Sequence, residues 1–97
     1  MRVDKAVPQS IIARLATVAS ESFEGIEVVF DPDSGLVRKL NRTASEIWRL
    51  LEAPSTRSEL MSTLSARTPQ NATHIAADVL RFVDELIMWG LVENFDG

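Results

Sequence analysis

The chain has no cysteine and only one histidine, His74, and its four glycines stand far apart in the sequence. The missing cysteines exclude disulfides, iron–sulfur clusters, thiolate zinc sites and thiol nucleophiles. A single histidine beside scattered carboxylates leaves no convincing metal-ligand set, so no metal and no cofactor are expected. With Gly25, Gly35, Gly90 and Gly97 isolated, there is no glycine-rich loop to cradle a phosphate. No apolar run approaches the roughly 18–20 residues of a membrane span. The first residues, Met1 to Pro8, lack the sustained apolar stretch of a signal peptide. A cytoplasmic protein with no membrane partner is therefore the expectation. Basic charge is also scarce: the net charge is -4, whereas nucleic-acid readers carry a basic surface.

What is present fits one small folded domain. Ninety-seven residues hold one core, and a 45% apolar, 25% charged composition argues against intrinsic disorder. Residues 1–10 show no periodicity and are expected to form a flexible arm, with the domain over 11–93 and a tail at 94–97. Residues 11–18 suit a strand, with an Ala-rich helix as the alternative, and Ser20 to Gly25 reads as a connection. Ile26, Val28 and Phe30 alternate with Glu27 and Val29, giving a second strand with one apolar face. Asp31-Pro32-Asp33-Ser34-Gly35 is a tight-turn signal. Leu36 to Leu40 then returns as a third strand, making 26–40 a hairpin.

The pattern next becomes helical. Thr43-Ala44-Ser45-Glu46 has the form of a capping box, and Ala44, Ile47, Trp48 and Leu51 share one helical face. Pro54 ends that helix. Thr56-Arg57-Ser58-Glu59 is a second capping box, opening a helix that buries Leu60, Leu64 and Met61. Asn71 is a suitable N-cap for a third helix over about 72–89, with Gly90 as its stop and Leu91-Val92 folding back onto the core. Along this last helix the apolar residues cover an arc of about 180°, wider than the ~100° one neighbour requires. It is either packed on two sides or has an apolar flank left for a partner. The fold class expected is α+β, winged-helix-like, with an N-terminal three-stranded antiparallel sheet followed by three helices.

Function classes can be weighed on the same residues. His74 with Asp78 one turn later is the only candidate acid–base pair, and its plain reading is a solvated first-turn histidine beside a structural carboxylate. The chain reads as not an enzyme, with no catalytic residues. Helices plus a hairpin could make a winged helix-turn-helix DNA-binding regulator. However, Asp78, Arg81, Asp84 and Glu85 sum to -2 on the last helix, and phosphate neutralisation needs the opposite sign. A strand edge can instead accept an extended peptide, or pair with a second copy to make a self-associating module and a homodimer.

The string Leu40-Asn41-x-Thr43-Ala44-x-x-Ile47-Trp48, then Leu50-Leu51, Asp78-Val79 and Gly90-Leu91, resembles the PqqD-like family over nearly the whole chain. These are recognition elements for ribosomally made, post-translationally modified peptides. The usual glycine after the Leu-Leu pair is replaced by Ala53, so the helix exit must be made differently. The Leu-Asn-x-Thr-Ala signature is typical of the wider family, including stand-alone proteins of lasso-peptide and other radical-enzyme systems, rather than of pyrroloquinoline quinone synthesis in particular. The resemblance implies a non-catalytic peptide chaperone. It would bind the leader of a precursor peptide by strand addition and present it to a maturation enzyme such as a radical SAM enzyme, a peptidase or a cyclase. Carried onto this chain, the leader-pairing strand is Leu36, Val37, Arg38, Lys39 and Leu40. The helix positions facing the groove are drawn from Asp78, Val79, Arg81, Phe82, Glu85 and Leu86, although Val79, Phe82 and Leu86 also fit a plain core. Trp48 and Leu51 read as core; Asn41 and Thr43 read as capping and turn residues.

Overall fold

A computed structural model describes residues 10–96. The expected arm lies mostly outside these residues; Ser10, its last residue, already belongs to a strand. The order is β1 (Ser10–Arg14), β2 (Ala19–Phe23), β3 (Ile26–Phe30), β4 (Val37–Lys39), α1 (Arg42–Leu50), β5 (Ser55–Thr56), α2 (Arg57–Arg67), a short 3-10 turn (Pro69–Asn71), α3 (Ala72–Trp89) and β6 (Val92–Asp96). The class is α+β and winged-helix-like, with three helices as expected. The strands, however, form two three-stranded antiparallel sheets, ordered β5-β1-β6 and β2-β3-β4.

This arrangement corrects three expectations. Residues 11–18 are not one strand, because the chain turns after Arg14, where Leu15 N–H donates to Leu91 O and Val18 N–H donates to Leu15 O. Residues 20–23 are not a connection. They belong to β2, joined to β3 by the two-residue turn Glu24-Gly25, both at positive φ (52° and 84°). That is the backbone sign of a hairpin turn whose twist matches the strands, and glycine carries it without strain. Residues 94–96 are not a tail, since they extend β6 along β1, with Ile11 opposite Phe95 and Ser10 opposite Asp96.

The helices form where their caps place them. Asn41, not Thr43, caps α1: its side chain accepts from Ala44 N–H at 2.8 Å, so the helix begins two residues before the expected box. Asparagine caps at least as well as threonine. The exit near Ala53 is made without a left-handed residue; Leu51 N–H donates to Ile47 O and Trp48 O instead. The Thr56/Glu59 capping box at α2 forms in full. Asn71 stands at the cap position of α3 but makes no side-chain cap bond, the 3-10 turn leading directly into the helix. Gly90 closes α3 at φ 74°.

The core lies between the helices and the inner sheet surfaces, with Ile12, Val29, Ile47, Trp48, Leu51, Leu60, Val79, Val83, Leu86 and Leu91 all fully or almost fully buried. Leu60 and Leu64 are buried as expected, while Met61 is partly covered. Polar ties fix α1 to the β2-β3-β4 sheet. Trp48 Nε1 donates to Ser20 Oγ at 2.9 Å, Glu27 N–H donates to the fully buried Ser45 Oγ at 2.8 Å, and Ser45 Oγ donates to Leu40 O. Glu27, buried at the inner face, is met by Arg49 Nε at 3.3 Å, so its charge is paired as burial requires. Glu27 and Val29 point inward, and the alternate residues Ile26, Val28 and Phe30 take the outer face.

Candidate functional site

The site is built on the free edge of β4. This strand ends its sheet, paired to β3 on one side only. Leu40 N–H donates to Glu27 O and Asp31 N–H donates to Leu36 O, each at 2.9 Å. Between these pairs, Val28 faces Lys39, Val29 faces Arg38 and Phe30 faces Val37. Bonded and non-bonded pairs alternate in an antiparallel ladder. The bonded pairs are therefore 27/40, 29/38 and 31/36. It follows that the amides and carbonyls of Val37 and Lys39 point away from β3, along the open edge.

The turn leading into β4 is held by Asp31. Its Oδ1 accepts from Asp33 N–H at 3.1 Å and its Oδ2 accepts from Ser34 Oγ at 2.8 Å, while Gly35 N–H donates to Asp31 O. The Ser34 hydroxyl, then the backbone amides of Asp33 and Ser34 and the charge of Arg38, hold this carboxyl below its ordinary pKa against a smaller opposing effect of burial. Hydrogen bonds to the ionised form have that sign.

Beside the β4 edge runs α3, and between them is a cavity of about 180 Å³. It is lined by Lys39, Leu40 and Asn41 from β4 and its exit, by Thr43, Ala44 and Ile47 from α1, and by Asp78, Arg81, Phe82, Glu85 and Trp89 from α3. The Trp89 ring forms one end. Arg38 stacks its guanidinium 3.9 Å from the ring centre, and Phe82 meets it edge-on at 6.4 Å and 75°. Arg81 Nη2 and Asp78 Oδ1 are 3.1 Å apart on the groove wall. The groove thus offers a lining of mixed polar and apolar character, an open backbone edge and charges of both signs. That combination suits an extended peptide, since main-chain bonds supply affinity and side-chain pockets supply selectivity.

Of the expected residues, the structure brings Lys39, Leu40, Asp78, Arg81, Phe82 and Glu85 together around this cavity. Leu36 and Val37 lie exposed at the start of the strand (51% and 64%), and Arg38 is half-buried under Trp89. Val79 and Leu86 are a correction: both are fully buried and belong to the core. They lie on the flank of α3 turned toward the other elements. Asn41, Thr43, Ala44, Ile47 and Trp89 line the cavity without having been counted in the site. Trp89 had a readable signal, being one turn beyond Glu85 and two beyond Phe82 on the same helix face. The candidate pair His74 and Asp78 is not assembled as an acid–base unit; His74 is exposed and Asp78 is engaged by Arg81. Among the described residues no group of three or more metal-ligating side chains gathers, and no helix is long and apolar enough to cross a membrane.

Comparison with known proteins places the chain in a family. Residues 27–92, more than half of the chain, match the family described as coenzyme PQQ synthesis protein D (PqqD), and the chain belongs to that family. Among solved structures, the chain is similar to TbiB1 in complex with the TbiA(beta) leader peptide. The TM-score is 0.74 at 22% identity over 84% of this chain and 94% of that one, a likeness of fold. No curated protein matches the chain.

Proposed function

We propose that the protein is a non-catalytic recognition element that binds the leader of a precursor peptide and presents it to the enzyme that modifies it. The observation that carries this reading is the open β4 edge, with the Val37 and Lys39 backbone groups turned outward beside the α3 groove. Membership of the PqqD family and the fold shared with TbiB1, described in complex with a leader peptide, support it. The leader adds a strand to β4, and its alternate side chains enter the cavity bounded by Leu40, Ile47, Phe82 and Trp89. Arg38 positions the Trp89 wall from behind. Presentation works by effective concentration: a tethered leader turns the encounter of core peptide and enzyme into a nearly intramolecular event. No chemical step falls to this chain.

The test is capture followed by amide exchange. Immobilised protein is exposed to lysate of the source organism, bound peptides are identified by mass spectrometry, and the recovered peptide is titrated back. Hydrogen–deuterium exchange is then compared with and without it. The expected result is one precursor-like peptide that slows exchange at the Val37 and Lys39 amides. A bound peptide that leaves both amides exchanging as in the free protein would overturn the strand-addition mode.

A further inference from the structure

The β4 groove does not end where β4 ends. At the Asn41 end it meets a second, larger cavity of about 440 Å³, and the two share Thr43 and Asp78 as common wall. The second cavity lies among the start of α1, the end of α2 and the start of α3. Leu64 and Ile75 supply its apolar surface, and Arg42, Glu46 and His74 supply polar lining.

Its charges are unevenly engaged. Glu46 Oε2 has Arg67 Nη1 at 3.8 Å, and Asp78 Oδ1 has Arg81 Nη2 at 3.1 Å, so both acids of the lining already have a cationic partner. Arg42 has no carboxylate within ion-pair distance among the described residues. Thr43 and Asp78, common to both cavities, join the Lys39 end of the β4 groove to the cavity that Arg42 lines. From Asp78 back to Asn71 along α3 is ~10 Å, the reach of roughly three residues of extended chain.

We infer that this cavity is a second peptide subsite, in which Arg42 takes an acidic side chain of the leader, beside an aliphatic contact on Leu64 and Ile75, within about three residues of the β4-paired stretch. The inference rests on the leader-binding reading and deepens it. The subsite gives selectivity that strand addition alone lacks, because main-chain pairing is blind to sequence. An exposed charge pair of this kind contributes at most about a five-fold gain in affinity at low salt, and it fades as salt screens it.

The experiment is selection from a random 15-residue display library against the wild-type protein. Enriched peptides are retested on Lys39→Pro, Arg42→Gln and Arg42→Glu, each checked for folding by circular dichroism. Glutamate is acceptable in the first turn of a helix, so Arg42→Glu is expected to fold. Four findings are expected together. Enriched peptides lose binding to Lys39→Pro. They carry Asp or Glu just outside the stretch that pairs with β4, and Arg42→Gln weakens them by about two- to five-fold in low salt but not in 1 M NaCl. Replacing that acid by Lys restores binding to Arg42→Glu. Peptides that need the Lys39 amide but show no acidic preference and no response to Arg42→Gln would overturn the subsite and leave the groove reading standing. A library that yields no Lys39→Pro-sensitive peptide would overturn the groove reading and the subsite with it.

Discussion

Replacing Lys39 by proline tests the β4 edge at one atom. The register turns the Lys39 amide away from β3, so the N–H that proline removes bonds nothing inside the described protein. Proline also requires an extended residue before it, and Arg38 is already in a strand. Edge strands tolerate proline where the missing donor faces outward. Folding stability should therefore change little, by less than about 1 kcal/mol. Peptide binding should change a great deal. One amide–carbonyl bond contributes about 0.5–1.5 kcal/mol net, a factor of roughly two to twelve in affinity. The pyrrolidine ring also stands where the added strand must approach, so at least a ten-fold loss is expected. Lys39→Ala keeps the amide and should bind nearly as well as wild type. Arg38→Pro is the inverse control: its amide belongs to the 29/38 bonded pair, so it should lose about 1–3 kcal/mol of stability. The assay is titration of a captured leader peptide by calorimetry, with urea unfolding of each variant alongside. A folded Lys39→Pro protein that binds with unchanged affinity would refute strand addition at β4.

Other substitutions separate the groove from the core. Phe82→Leu should shrink the cavity wall against Trp89 and weaken peptide binding several-fold for about 1 kcal/mol of stability, whereas Val79→Ala, fully buried away from the groove, should cost about 1–3 kcal/mol in urea unfolding and leave affinity unchanged. Gly90→Ala should destabilise by roughly 1 kcal/mol: the backbone is at φ 74° and an added Cβ would meet nothing within 4 Å, so the cost is conformational alone. Asp31, its carboxyl held low chiefly by Ser34, contributes stability that is complete above the ordinary carboxylate value near 3.8 and is lost as pH falls through the lowered folded value. Unfolding midpoints of wild type should therefore drop more than those of Asp31→Asn as the pH is lowered below about 4.

The parts of the fold that were legible are those whose signal is local. The turn at 31–35, the paired strands around it, the Thr56/Glu59 box and the Gly90 stop are each written in adjacent residues. What was missed is defined by partners distant in sequence. In β2, Ala19-Ser20-Glu21-Ser22-Phe23 shows no apolar alternation because it is an edge strand with little burial on either face. Its identity is set by the Glu24-Gly25 turn, which places a non-glycine residue at positive φ and so lacks the usual Asn-Gly or Asp-Gly signature. The two-residue β5 exists only because Thr56 and Ser55 face Ile11 and Ile12. The same strand β1 draws residues 94–96 into β6. Ile26, Val28 and Phe30 show a further limit. Period two groups them on one face but does not say which face is inside, and burial of the ion-paired Glu27 turned the apolar set outward.

The site divides along a line that helix geometry already contains. Taking Phe82 as zero and turning about 100° per residue, Trp89, Asp78, Glu85 and Arg81 fall at about -20°, -40°, -60° and -100°. Leu86, Val79 and Val83 fall at about +40°, +60° and +100° on the same wheel. The first set lines the cavity and the second is buried in the core. Phe82, on the boundary, does both: it is 5% exposed and still forms the groove wall. The wide apolar arc of α3 is thus one helix meeting two neighbours, and residue type could not separate them. Valine, leucine and phenylalanine look alike in a hydrophobicity pattern, whereas their angles to the acidic pair Asp78 and Glu85 do not. The polar residues mark the open side, and an apolar residue belongs to the groove when it lies within about 60° of them. By that rule Trp89 joins the site and Val79 leaves it. Val79 and Trp89 are therefore the pair on which to test it: Trp89→Ala should alter which peptides bind, and Val79→Ala only how firmly the protein is folded.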